Sequence, residues 1–209
     1  MRKSYKSESG RYRGFELEVD LLGEGVKSPA RYDGTRKEFW DAVRLVEEYQ
    51  QDGWNPEEPP ENISQFCRDL QSLIQLKIDK LIEEETDNRY KTFLETFASD
   101  KILRVFNARK SHLDVQYGTD VFFEFPLDEY DKIIAALDLT RNREKYERGH
   151  KTTVFYMPDE VNYPQLKTSE REELLHNVID EIGNNIVEGL KRKSLDRKWR
   201  AKFTPNQRA

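Results

Sequence analysis

The chain has one cysteine, Cys67, among 209 residues. That excludes an intramolecular disulfide and leaves little from which to build a structural zinc site. The histidines His112, His150 and His176 show no metal-ligand spacing. No apolar run approaches the roughly 18 residues needed to span a bilayer. The opening MRKSYKSESGRYRG is polar and basic, without the apolar core of a secretory signal. The chain is therefore expected in the cytoplasm, with no membrane partner. There is no phosphate loop, no glycine-rich dinucleotide motif and no internal repeat. An excess of positive charge is missing too. With 35 Lys and Arg against 40 Asp and Glu, the net charge is −5, so any nucleic-acid contact must come from a local patch.

Aromatic residues are plentiful: eleven Phe, ten Tyr and three Trp. Disordered chains are poor in such residues, so a folded core is expected although charged side chains are as frequent as hydrophobic ones. The length suits one domain with a helical addition. Cys67 lies in an apolar helical pattern and reads as a small core residue.

Phe15 to Asp20 alternates apolar and acidic side chains, which predicts a half-buried strand. Glu16, Glu18 and Asp20 would share its outer face, and a solvated face is preferred over a ligand row. Lys37 to Gln51 predicts a helix, with Phe39, Trp40, Val43, Val46 and Tyr49 at helical spacing and Thr35 as its cap. The proline-bearing DGWNPEEPPEN then makes a stiff link. A second helix starts near Asn62. Its stripe from Ile63 to Ile82 is either core or a seam for pairing with a second copy or another protein. After a break at Thr86-Asp87-Asn88, Tyr90, Phe93, Leu94 and Phe97 continue a helical face that also carries Glu95.

The densest information lies between Ser111 and Lys145. Ile102 to Ala108 predicts a strand before it. Gly118-Thr119-Asp120 then opens an apolar strand, Val121 to Phe125; PLDEYDK makes a turn, and Ile133 to Leu137 runs into Asp138-Leu139-Thr140. An antiparallel hairpin brings the start of its first strand beside the end of its second, so Asp120 and Asp138 are expected as neighbours. Two carboxylates on one sheet edge repel unless a cation or proton lies between them. Magnesium is commonly held by one or two carboxylates and waters. An Asp capping a turn is the simpler alternative. Thr152 to Tyr156 predicts a further strand. Ser169 and Glu172 fit a capping box opening a helix that buries Leu174 to Ile186 and runs toward Leu190.

Asp114, Gly118-Thr119-Asp120 and Asp138-Leu139-Thr140 with Asn142 together resemble a divergent PD-(D/E)xK phosphodiesterase, over about residues 86–158. That superfamily includes restriction enzymes, resolvases and nucleases of phages and mobile elements. The resemblance implies an α/β fold with an αβββαβ restriction-endonuclease-like core over 86–190. An N-terminal helical addition over 1–85, a long C-terminal helix and a basic tail over 191–209 would flank it. It also implies metal-dependent cleavage of nucleic acid, DNA more than RNA. Asp120 and Asp138 would hold Mg or Mn, and Asp114, Thr140 and Glu95 would be auxiliary. The family's Lys would fall at position 140, which is Thr here. Lys145 is the obvious substitute and Lys151 a weaker one. Without either, the chain is an inactive scaffold that binds nucleic acid or a protein.

The end of the chain carries Lys191, Arg192, Lys193, Arg197, Lys198, Arg200 and Lys202 around Trp199 and Phe203. Cations interleaved with aromatics suit phosphate contact and base stacking. A basic helix end complementing its own dipole fits equally well.

Overall fold

The computed structural model of the chain describes residues 16–23, 34, 38–50, 64–128, 131–147 and 152–196. Residues 16–22 form a first helix, α1. It is followed by α2 (Phe39–Gln50), α3 (Gln65–Glu83), α4 (Asn88–Phe97), β1 (Arg104–Asn107), α5 (His112–Tyr117), β2 (Val121–Pro126), β3 (Lys132–Thr140), α6 (Arg143–Glu147), β4 (Thr153–Tyr156), a 3-10 turn (Tyr163–Gln165) and α7 (Thr168–Ser194). The architecture is mixed α/β around one four-stranded sheet in the order β1-β2-β3-β4. The first three strands form an antiparallel meander, and β4 lies parallel to β3. A parallel pair needs a crossover, and α6 sits in it.

Strand alternation divides the apolar residues between two layers. Val121, Phe123 and Phe125 of β2 join Leu137 and Leu139 of β3 in the main core, under α3 and α7. Phe106 and Phe122 point the other way, stack at 4.7 Å and meet Ala42, Val43 and Val46 of α2. Two glycines let α7 lie close. A Cβ on Gly183 would stand 2.6 Å from Lys77 Cγ of α3, and one on Gly189 would stand 2.9 Å from Ile133 Cγ2 of β3. The stripe on α3 is core: Phe66, Leu70, Ile74, Ile78 and Ile82 are buried, and Leu76 remains exposed. Leu17 and Leu21 belong to the same core as the sheet and α7, so the turn at residue 85 does not divide it.

Local chemistry accounts for the helix ends. Ser64 Oγ accepts the amide of Cys67 at 3.2 Å, and Asp87 Oδ1 accepts that of Arg89 at 3.0 Å. Both are side-chain N-caps. Cys67 is buried, and burial pushes its thiol up to about 11, which suits packing rather than reactivity.

Several sequence expectations are corrected. Residues 16–22 are a helix, not a strand. Leu17, Leu21 and Leu22 are buried at helical spacing while Val19, which the strand pattern buries with Leu17, is 36% exposed. β3 does not stop at Leu137. Pairing with β4 (Asp138↔Val154, Thr140↔Tyr156) carries it through Thr140. The stretch before β2 holds the short helix α5, capped by Ser111 Oγ on the amide of Leu113 at 3.1 Å and ended by Gly118 at φ 62°. The start of α7 lies two residues earlier than Ser169 and Glu172 suggested. Glu170 Oε2 accepts the amide of Lys167 at 2.7 Å, and the helix continues to Ser194. Phe15, Thr35, the link over 51–63, His150, Lys151 and the tail from 197 lie outside the described residues.

The helix at 16–22 is open to a direct test. Leu21→Ala should cost about 2–4 kcal/mol of unfolding free energy, as for a buried leucine. Val19→Ala should stay within about 0.5 kcal/mol. Urea unfolding of the two variants measures both, and a larger loss at Val19 than at Leu21 would restore the strand.

Candidate metal centre

The acidic site forms where the meander meets α1 and α5. Asp120 stands one residue before β2, and the last β2–β3 rung is Val121↔Leu137. Its amide donates to the Leu137 carbonyl at 2.9 Å, and its Oδ2 accepts the Leu139 amide at 2.6 Å. Asp120 is thus fastened to β3 beside Asp138. Leu137 and Leu139 enter the main core, so alternation turns Asp138 and Thr140 to the opposite face. Asp138 is buried, and its Oδ2 would lie 3.6 Å from a Cβ on Gly118.

Asp114 comes from α5. Its Oδ2 accepts the amide of Lys110 at 2.5 Å. Lys110 holds φ 68°, a left-handed backbone that costs a non-glycine residue and that this bond supports. Glu18 arrives from α1. Its Oε2 accepts Arg109 Nε at 3.3 Å, and Arg109 Nη1 donates to the Gly23 carbonyl at 2.6 Å. Asn107 Nδ2 donates to the Leu22 carbonyl at 2.9 Å. The end of β1 therefore caps the C-terminus of α1 with a side-chain amide and a guanidinium, the charge sign that a helix C-terminus favours.

Carboxylate oxygens of Glu18, Asp114 and Asp120 lie within 4.8 Å of one another. Burial, then the charge of Asp114, pushes Glu18 up to about 7, against the pull of Arg109; Asp138 adds to the rise. Asp120 is pushed well above the usual carboxylate range by burial, then by Glu18, Asp114 and Asp138, with the Leu139 amide opposing. Asp120 is thus drawn together with Glu18 and Asp114, while Asp138, its expected partner, is not one of the three that converge and acts on Asp120 through its charge. The donor set is all oxygen, without His or Cys. That fits a hard divalent cation such as magnesium or manganese better than zinc.

No family model matches the chain. Neither a curated protein nor a solved structure matches it either.

The other residues named from the sequence are distributed unevenly. Thr140 ends β3, buried, and its Oγ1 accepts the amide of Asn142 at 3.0 Å. Lys145 falls on α6, and its side chain lies outside the described residues. Glu95 is exposed on α4, pairs with Lys91 at 3.9 Å and is not one of the three acids that converge. Lys191 pairs with Glu85 at 2.7 Å and lies over the Tyr90 ring, and Lys193 pairs with Asp131. These two cations brace α7 against the body, while Arg192 is exposed. Arg197, Lys198, Trp199 and Arg200 lie outside the described residues.

Sequence reasoning weighed Glu18 in a ligand row but preferred a solvated strand face, and it missed Arg109. The signal for Glu18 was Leu21-Leu22, which breaks the period-two alternation and restores a helical one. For Arg109 the sequence offers only a basic residue after a strand.

Because Glu18 and Asp120 are raised in the folded chain, the fold binds more protons than the unfolded chain in the range between the two states' values. In the absence of divalent cation, stability should therefore fall as pH rises from about 5 to 7. Glu18→Gln should stabilise the chain at pH 8, by on the order of 2 kcal/mol after allowing for partial solvent screening. Thermal unfolding in EDTA at pH 5 and pH 8 measures this. Equal or greater wild-type stability at pH 8 would show that the carboxylates do not repel.

Proposed function

We propose that the chain is a divalent-cation-dependent phosphodiesterase that cleaves nucleic acid. One observation carries the reading: carboxylates from α1, α5 and the start of β2 converge within 4.8 Å, with Asp138 of β3 beside them. The element order supports it. Leaving out α5, the run α4-β1-β2-β3-α6-β4, with the last strand parallel to the third, follows the αβββαβ order of the PD-(D/E)xK resemblance. Asp120 stands at the second strand and Asp138 on the third, as that resemblance requires.

Glu18, Asp114, Asp120 and Asp138 would hold magnesium or manganese. When bound, the ion supplies Lewis acidity and lowers the pKa of a coordinated water. The chain's own groups do the rest. Arg109 orients Glu18, and the Leu139 amide orients Asp120. Thr140, two residues past Asp138, can donate its hydroxyl hydrogen to a substrate oxygen. Lys145, in the crossover that follows β3, offers the cation needed to offset charge developing on the phosphate. DNA is the first substrate to try.

The second reading, an inactive scaffold binding nucleic acid or a protein, is favoured by Thr140 at the position where the resemblance calls for Lys. The two separate cleanly. If the chain is a nuclease, Asp120→Asn, Asp138→Asn and Lys145→Ala should each lower manganese-dependent cleavage by about 10²–10³-fold. Binding of the same oligonucleotide, followed by fluorescence anisotropy, should change little. Undiminished cleavage in EDTA would remove the metal from the mechanism. If no DNA or RNA is cut in manganese while binding persists, the scaffold stands.

A further inference from the structure

A second ionic cluster lies at the opposite end of the α2 face from the acidic site. Glu47 reaches from α2 to Lys132 of β3, whose Nζ also bonds Glu124 Oε2 of β2 at 2.8 Å. Glu124 Oε1 takes Arg104 Nη1 of β1 at 3.3 Å. Lys132 is paired with Pro126 and thus lies diagonal to Glu124, while Arg104 stands directly opposite Glu124. Cross-strand geometry therefore presents all three charges to the helix. On α2 itself, Arg44 is exposed and turned to Asp41 and Glu48, both at 3.7 Å, so it does not compensate Glu47. The groups facing Glu47 are Glu124, Lys132 and, beyond Glu124, Arg104.

The Glu47 and Glu124 carboxyl groups share the Lys132 ammonium and face each other within hydrogen-bonding reach. Both oxygens are acceptors when ionised, so a direct bond between them forms only with a proton between them. Glu124 is 4% exposed, leaving little water to screen the pair once the proton is gone. We propose that Glu47, Glu124 and Lys132 form a proton-operated clamp on α2: one shared proton docks the helix tightly on the sheet, and release of that proton to solvent loosens it.

The titration falls in a useful range. Burial, then the bond to Glu124, pushes Glu47 up to about 7. Burial alone would raise Glu124, but its bonds to Glu47 and Lys132 hold it low. Burial opposes the charge on Lys132, but its bonds to Glu124 and Glu47 hold its pKa high. Between pH 5 and 8, Glu47 is thus the member that changes charge. Its docked value lies above the ordinary 4.5, so docking is strongest at and below that value. It weakens as pH rises to about 7 and then levels off. The rest of α2 limits the loosening. Val43 and Val46 are packed on the sheet, and Gln50 Oε1 accepts the Asn107 amide at 3.2 Å.

The test is hydrogen exchange of the full chain from pH 5 to 8.5, with rates corrected for intrinsic exchange. The opening constant of peptides from α2 should rise with pH, by at most about tenfold per unit, and level above about 7. Peptides from α7 should not follow it. Glu47→Gln can accept from Lys132 and donate to Glu124, as the protonated acid does, and should hold α2 at its low-pH protection throughout. A flat wild-type profile, or an unchanged slope in Glu47→Gln, would overturn the clamp. If that variant fails to fold, carbon-detected titration of the wild-type Glu47 carboxyl decides. A midpoint near 7 supports the clamp, and one below 5 overturns it.

Discussion

Carboxylates gathered where water is scarce repel each other, and each loses hydration that its like-charged neighbours cannot replace. That constraint organises one end of this protein. Asp120 is nearly enclosed and spends one oxygen on the Leu139 amide, and Asp114 spends one on the Lys110 amide. Glu18 takes the guanidinium of Arg109, itself 1% exposed. The guanidinium offsets only part of the repulsion, since burial and the charge of Asp114 still push Glu18 up to about 7.

The α2 face of the sheet is zoned along the strands. Arg104, Glu124 and Lys132 lie at one end, the stacked Phe106 and Phe122 in the middle, and Asp138 at the other. The aromatic layer keeps the two ionic groups apart. α2 spans the first two zones and packs against α5 through Phe39 and Tyr117, whose rings meet edge to face at 5.3 Å. α5 in turn supplies Asp114. The helix above the ionic clamp is therefore also a neighbour of the acidic end, through packing rather than charge.

The hairpin was legible in the sequence because its two apolar runs are bounded by turn residues, and the closeness of Asp120 to Asp138 follows from hairpin topology alone. The helices at 39–50, 65–83 and 88–97 were legible from their apolar spacing. What escaped depends on contacts distant in sequence. Six residues of alternation, Phe15 to Asp20, made a strand of what is a helix, because Leu21 and Leu22, which bury with Leu17, lie beyond that stretch. The extension of β3 to Thr140 needs β4 as partner, and nothing local announces it. Lys191 and Lys193 read as a basic patch because their acids, Glu85 and Asp131, lie far away in the chain.

Glu18 reaches the acids through a helix that has no independent existence. α1 spans residues 16–22, far shorter than an isolated helix needs in water, so it forms only when docked. Leu17, Leu21 and Leu22 favour docking, each by roughly 1.5–3 kcal/mol if its side chain is fully buried. Repulsion between an ionised Glu18 and Asp114 opposes it. Ordering the segment costs further entropy, about 1–2 kcal/mol per residue in the backbone alone. The balance is narrow, and Arg109 falls on the favourable side of it. α1 is consequently the least secure wall of the acidic site. It is also the wall that a divalent cation, by replacing repulsion with shared attraction, would strengthen most.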